Sequence, residues 1–141
     1  RFDYKGRSIV ISGDTDYSEN LVEQAKNADL LFHDALSQNM IGRLEEISED
    51  VNPLLSTVFY DIQDYHASPI EAAQAANEAN VKELIFYHLT PAPQNFIAKI
   101  IFVRGVNEVR PNNWTLADDG TIAILPVGSD KVEITNINWD L

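Results

Sequence analysis

The sequence predicts an α/β layered fold, and two observations carry that prediction. Apolar runs of strand length, SIVIS, LLFHDAL and ELIFYHL, recur along the chain. Between them lie segments with helical periodicity and helix punctuation, and this alternation argues helices packed on a sheet.

The elements follow in order. Phe2 to Lys5 and Arg7 to Ser12 flank Gly6 and read as a short hairpin. A helix runs next through Leu21, Val22 and Ala25 to about Lys26, capped by Ser18 or by Asp16, since Asp16 and Glu19 have capping-box spacing. ADLLFHDAL is a buried strand. Met40, Ile41, Leu44 and Ile47 form an amphipathic stretch, Pro53 interrupts, and LLSTVFYDI resumes, so two short helices are expected there. Ser68, Pro69 and Glu71 supply N-cap, first-turn proline and capping-box acid for a helix through Asn80. Its alanines at 72, 73, 75, 76 and 79 keep the surface thin, which suits close packing on a sheet. KELIFYHL reads as a buried strand ending at His88, and Gln94 to Val103 as another helix. WTLADDGTIAILPVGSDKVEI reads as two or three short antiparallel strands, with turns at Asp119-Gly120 and Gly128-Ser129.

With 141 residues and 45% hydrophobic content, the chain builds one core, so residues 1–141 are read as a single domain. No stretch reaches the roughly 20 apolar residues of a membrane helix, and RFDYKGR does not read as a signal peptide. A soluble chain is expected, cytoplasmic or periplasmic. It has no cysteine, so a metal would be held by His, Asp and Glu. The net charge of −12 opposes nucleic-acid binding, whose affinity comes largely from Lys and Arg on phosphates.

In an α/β layer structure, ligand groups gather at the carboxyl ends of strands. Asp14 and His88 fall at such ends, and His66 lies in the loop entering the alanine-rich helix. Each also has a bland reading. Asp14 in SGDTD fits a turn residue, and His33, between Phe32 and Asp34, fits a core or edge histidine. Asp34 fits a strand-end polar residue, and His66 a solvent-facing residue before a helix.

Their order carries more than any of them singly. GDT at 13–15, ADLLFHDA at 28–35 and HASPIEAAQAANEANVKELIFYHLTP at 66–91 together resemble the second half of the metallo-β-lactamase-fold hydrolases. The similarity is to the branch that holds ribonuclease Z and the arylsulfatase-like enzymes, and HLTPAPQNFIAKIIFVRGVNEVRPNNWTLADDGTIAILP resembles the latter. The resemblance implies the carboxyl-terminal half of an αββα sandwich, a mixed sheet with flanking helices. It implies that Asp14 bridges two metal ions, that His88 binds one of them, and that His66 assists catalysis. Where the family has His-Glu, this chain has His33-Asp34, so Asp34 would orient His66 with an acid one methylene shorter.

Carboxylate and imidazole donors suit Zn²⁺, Mn²⁺ or Fe, two ions per complete site, with a shared hydroxide as nucleophile on a phosphate, sulfate or carboxylic ester. The family's His-x-His-x-Asp-His motif is absent, and the histidines are only 33, 66 and 88. The chain is therefore expected to hold half a site and to be inactive alone, and an opening without methionine fits an interior start. The expected substrate is a small ester. The alternative is a non-catalytic folded half, stabilised as a homodimer or by the missing N-terminal half. A weaker reading, a phosphatase-like domain with Asp14 on Mg²⁺, lacks a Gly-rich phosphate loop.

Overall fold

A computed structural model describes residues 1–137. Strands β1 (Phe2–Tyr4) and β2 (Arg7–Ile11) form an antiparallel hairpin in which Phe2 faces Ile9. Its loop is Lys5-Gly6, with φ of 48° and 78°, the positive pair that a two-residue turn matched to strand twist requires.

The chain then crosses through α1 (Glu19–Ala25) to β3 (Leu30–Leu36), parallel to β2. A long connection follows, made of α2 (Gln38–Ser48), α3 (Pro53–Asp61), a 3₁₀ turn and α4 (Pro69–Glu78), and it returns to β4 (Glu83–Thr90), parallel to β3. Helices α5 (Phe96–Phe102) and α6 (Val106–Val109) lead to β5 (Trp114–Leu116), parallel to β4. The sheet order is β1-β2-β3-β4-β5, a mixed sheet whose only antiparallel edge, among the described residues, is β1. A separate antiparallel hairpin pairs β6 (Thr121–Ile124) with β7 (Glu133–Asn136).

The caps explain the helix boundaries. Ser18, not Asp16, caps α1, its Oγ accepting from the Leu21 amide, while Asp16 accepts from the amide of Tyr17. Ser68 and Glu71 form the reciprocal capping box of α4 that their spacing predicts, with Pro69 in the first turn. The expected antiparallel grouping of Trp114 to Ile134 is corrected at β5. Because α5 and α6 carry the chain back across the sheet, β5 enters in the direction of β4, as a helical crossover dictates. The short α6 lies in a segment with no clear periodic signal.

One face of the sheet is covered by helices. Val10, Leu31, Leu84 and Phe86 bury against Ala25 of α1, the α4 alanines Ala72, Ala73 and Ala76, Phe102 of α5 and Val106 of α6. Small side chains on α4 let its backbone approach the strands closely. On the opposite face Leu30, Leu36 and Ile85 of the central strands are fully buried, and exposure is greatest at the β1 edge, where Phe2 is 66% and Tyr4 68% exposed. They join Ile9, Leu125 and Val127 in lining a small apolar pocket of about 150 Å³.

The amino ends of the strands are tied by a buried carboxylate. Asp29 accepts from the Ser8 amide at 2.8 Å, and its oxygens lie 2.8 Å from Lys82 Nζ and 3.1 Å from Arg7 Nε. Burial alone would raise its pKa, but Lys82, the Ser8 amide and the Arg7 guanidinium paired with it outweigh that and lower it to about 2. Chemistry at the other end of the sheet is thus built on a clamped base.

Candidate metal and proton-transfer site

The site lies where β2, β3 and β4 end, and a bulge creates it. Along the β3–β4 ladder Asp34 pairs with Tyr87 but Ala35 pairs with Leu89, so His88 is the extra residue. Its φ is 45°, a left-handed conformation that non-glycine residues adopt at a cost. The strand therefore continues to Thr90, beyond the end at His88 that the sequence predicts. Bulges re-aim side chains, and this one turns the His88 imidazole toward the β2 turn. Its Nε2 lies 3.3 Å from Asp14 Oδ1.

Asp14 is delivered by the turn after β2. Ser12 still bonds to the Phe32 carbonyl as a ladder residue, and Gly13, at φ 66°, then turns the chain away. Asp14 and His88 stay accessible, with side chains 55% and 49% exposed.

His66 is positioned by backbone. The Ala67 amide donates to the Thr15 carbonyl and the Leu36 amide to the Ala67 carbonyl, both at 2.9 Å, so residue 67 is stitched between the GDT turn and the end of β3. His66 is consequently buried, not solvent-facing. Its ring stands edge-on to that of His88, centroids 5.7 Å apart.

Behind His66 sits Asp34, fully buried. His66 Nδ1 is 2.7 Å from Asp34 Oδ2, so the one-methylene-shorter acid does reach the imidazole. With Nδ1 donating to the carboxylate, Nε2 is the nitrogen left for other work. Burial raises the Asp34 pKa, but hydrogen bonds from His33 and His66 outweigh it and hold the carboxyl below its ordinary value. Asp34 is thus an anion at neutral pH. Ser12 Oγ and His33 Nδ1 also lie against it, at 3.3 and 3.0 Å, contacts that the sequence reading of His33 as a core or edge histidine does not anticipate. The signal available for His33 was its adjacency to Asp34.

The donor set can be tested against a metal. An exposed carboxylate oxygen and an imidazole nitrogen converging on one spot are suitable ligands, and both have open solvent beside them. A first shell takes three or four protein donors or more, and no group of three or more His, Cys, Asp or Glu positioned for a metal occurs among the described residues. Asp14 and His88 fit as a share of a shell. Beside them a cavity of about 660 Å³ opens between the end of β4 and the turn before β6, walled by Phe32, Tyr87, Lys99, Asp118 and Thr121.

No family model matches the chain. It is 36% identical over 86 residues to a ribonuclease Z of Archaeoglobus fulgidus, covering 61% of this chain and 23% of that one. Against the ribonuclease Z of Brevibacillus brevis the identity is 40% over 86 residues, 61% and 22% of the two chains. A longer match, 28% over 127 residues, relates 90% of this chain to 35% of the ribonuclease Z of Anoxybacillus flavithermus. The chain thus spans between 22% and 35% of the length of these relatives. Among solved structures, the metallo-beta-lactamase fold protein YhfI from Bacillus subtilis superposes with a TM-score of 0.51 at 18% identity, covering 79% of this chain and 37% of that one. The architecture, a mixed sheet flanked by helices, matches the metallo-β-lactamase fold, and by partial sequence similarity the chain is related to the hydrolases of that superfamily, broadly of the ribonuclease Z kind.

Proposed function

We propose that this chain supplies the carboxyl-terminal share of a binuclear metal-dependent esterase site, with Asp14 and His88 as metal ligands and His66 as the proton donor to the leaving group. The carrying observation is the 3.3 Å approach of Asp14 Oδ1 to His88 Nε2, produced by a bulge that turns His88 outward and sets Leu89 beside Ala35 against the core. A metal pair, when bound, supplies Lewis acidity and activates water. The chain's own residues do the rest. Asp34 accepts from His66 Nδ1 and so orients the ring with Nε2 free to carry a proton to a departing alkoxide.

The remaining metal donors would come from outside this chain, which spans a minority of its relatives' length. Alone it binds metal weakly and hydrolyses little, because two donors do not close two shells. The net charge of −12 favours a small ester over a polyanion such as RNA, and the cavity beside His88 has room for a small molecule. The row of exposed apolar residues Phe2, Tyr4 and Ile11 supports a second reading in which this sheet face packs against the complementing half or a second copy of the chain.

The test is Zn²⁺ titration of the purified chain by calorimetry, alongside Asp14→Asn, His88→Asn and the double variant. Weak binding lost in each variant supports the assignment. Equal binding by wild type and double variant overturns it. Turnover of bis(p-nitrophenyl) phosphate by the chain alone would overturn the half-site reading and place further donors within this sequence.

A further inference from the structure

Asp34 has two carboxylate oxygens, and both are engaged. Oδ2 meets His66 Nδ1 at 2.7 Å. Oδ1 lies 3.0 Å from Nδ1 of His33, and that same Nδ1 is 2.8 Å from the Asp34 backbone carbonyl. Two acceptors surround His33 Nδ1, so this nitrogen must carry the proton. The other nitrogen of His33 is buried without a hydrogen-bond partner among the described residues.

Such an orphaned nitrogen is unfavourable. A leucine or phenylalanine would fill the fully buried place of His33 without that penalty, so packing does not account for an imidazole here. Ser12 does not do the same job. Its Oγ accepts from the Asp34 amide, and its single proton has a much nearer acceptor in the Gly13 carbonyl at 2.6 Å than in Asp34 Oδ1 at 3.3 Å, so it is at most a weak second hold on that oxygen.

We infer that His33 is a positioning residue: its Nδ1–H holds the inner oxygen of Asp34, fixes the plane of the carboxylate, and so aims the outer oxygen at His66. The unit that sets the His66 tautomer is therefore His33–Asp34–His66, not the last two alone. The geometry stands by itself, while its consequence for catalysis rests on the proton-donor reading of His66. A carboxylate on a short aspartate stem, held at one oxygen only, would be free to rotate about χ2. Anchored at both, it presents Oδ2 in one direction. The lowered proton affinity of Asp34, to which the hydrogen bond from His33 contributes, is consistent with this.

The experiment is long-range ¹H–¹⁵N imidazole NMR on the ¹⁵N-labelled, metal-free chain at neutral pH, which reports tautomer and hydrogen bonding at His66 without any need for activity. In the wild type, His66 should appear as the Nδ1–H tautomer with a downfield Nδ1 proton. His33→Asn places an amide donor near the position of Nδ1 and should keep that signature. His33→Leu removes the donor and should lose it, with the Nε2–H tautomer appearing while near-ultraviolet circular dichroism stays native. Unchanged His66 resonances in His33→Leu would overturn the inference. If His33→Leu does not fold, His33→Gln takes its place, since it sets the amide at the Nε2 position. Equal His66 spectra in the Asn and Gln variants would then overturn it. Failure of Zn²⁺ binding at Asp14 and His88 would leave the relay intact and count only against the functional reading.

Discussion

His88 reaches Asp14 only because His88 is the surplus residue of the β3–β4 ladder. Its left-handed backbone, at φ 45°, swings the imidazole out of the strand's alternation until Nε2 stands 3.3 Å from Asp14 Oδ1. Fold stability and site geometry are in opposition at this residue.

Substitutions at 88 should separate the two. Gly occupies left-handed backbone without a Cβ penalty, so His88→Gly should be more stable than His88→Ala by about 1 kcal/mol. Both should lose the Zn²⁺ affinity of the wild type. Urea midpoints and calorimetry check this, and Gly and Ala variants of equal stability would count against the strained bulge.

Removing the carboxylate behind His66 should be costly. Asp34→Ala leaves the His66 Nδ1 donor unpaired in a buried place, while His33 Nδ1 keeps the backbone carbonyl of residue 34, a loss of about 2 kcal/mol by the usual worth of a hydrogen bond to a charged group. Asp34→Asn, which keeps the shape and one acceptor, should lose less. The readout is the urea midpoint at pH 7, and an unchanged midpoint in the alanine variant would reject this arrangement.

Asp29 sets the acid limb of the stability curve. Its pKa is depressed from 3.8 to about 2, so the folded state holds this carboxylate ionised where the unfolded chain would protonate it. The stabilisation is therefore fully present above the unfolded pKa and is lost as pH falls through the folded value. The shift corresponds to about 2 kcal/mol. Asp34, also lowered, acts in the same direction. Asp29→Asn should be less stable at pH 7 and show a flatter decline between pH 4 and pH 2 (approximate limits set by the two pKa values), followed by circular dichroism. A parallel decline in both proteins would remove Asp29 as the cause.

Light scattering across a dilution series should show self-association, with Tyr4→Lys shifting the chain toward monomer. Phe2, Tyr4 and Ile11 are the exposed apolar residues of the strand pair at the sheet edge, and such rows are covered in most stable proteins. A wild type that is monomeric at every concentration would dismiss the two-copy reading.

Much of this architecture was legible because it rests on local chemistry. Ser68, Pro69 and Glu71 announce α4 by a reciprocal cap, and Gly6 with Lys5 announces the first hairpin. What stayed hidden depends on register. No spacing rule reveals that residue 88 is skipped in pairing, so the sequence reading ends β4 at His88 when it runs on to Thr90. The direction of β5 was hidden for a related reason, since α6 is a single turn and the crossover it completes leaves little periodic trace. For His66, the bland reading failed because its burial comes from the Ala67 backbone bonding to Thr15 and Leu36, contacts between segments distant in sequence. His33 read as a core histidine, and it is buried. Its Nδ1 contact with Asp34 could not be inferred from burial alone.

The stitching around residue 67 has a consequence for how this protein can vary. The Leu36 amide bonds to the Ala67 carbonyl, and the Ser37 amide to that of Thr90. The two ends of the α2–α3 excursion are thus pinned side by side on the sheet; α2 tucks Ile41 into the interior, and α3, with no buried residue, loops out from a closed base. Lengthening or shortening such an excursion changes mainly its closure entropy, about 0.6 kcal/mol for each doubling. Residues 49–64, where α3 buries no side chain, can therefore be remodelled or extended while Ile41 of α2 stays in the core and His66 keeps its address, which makes this segment the natural place for insertions that grip new substrates or partners without retuning the residues at the strand ends.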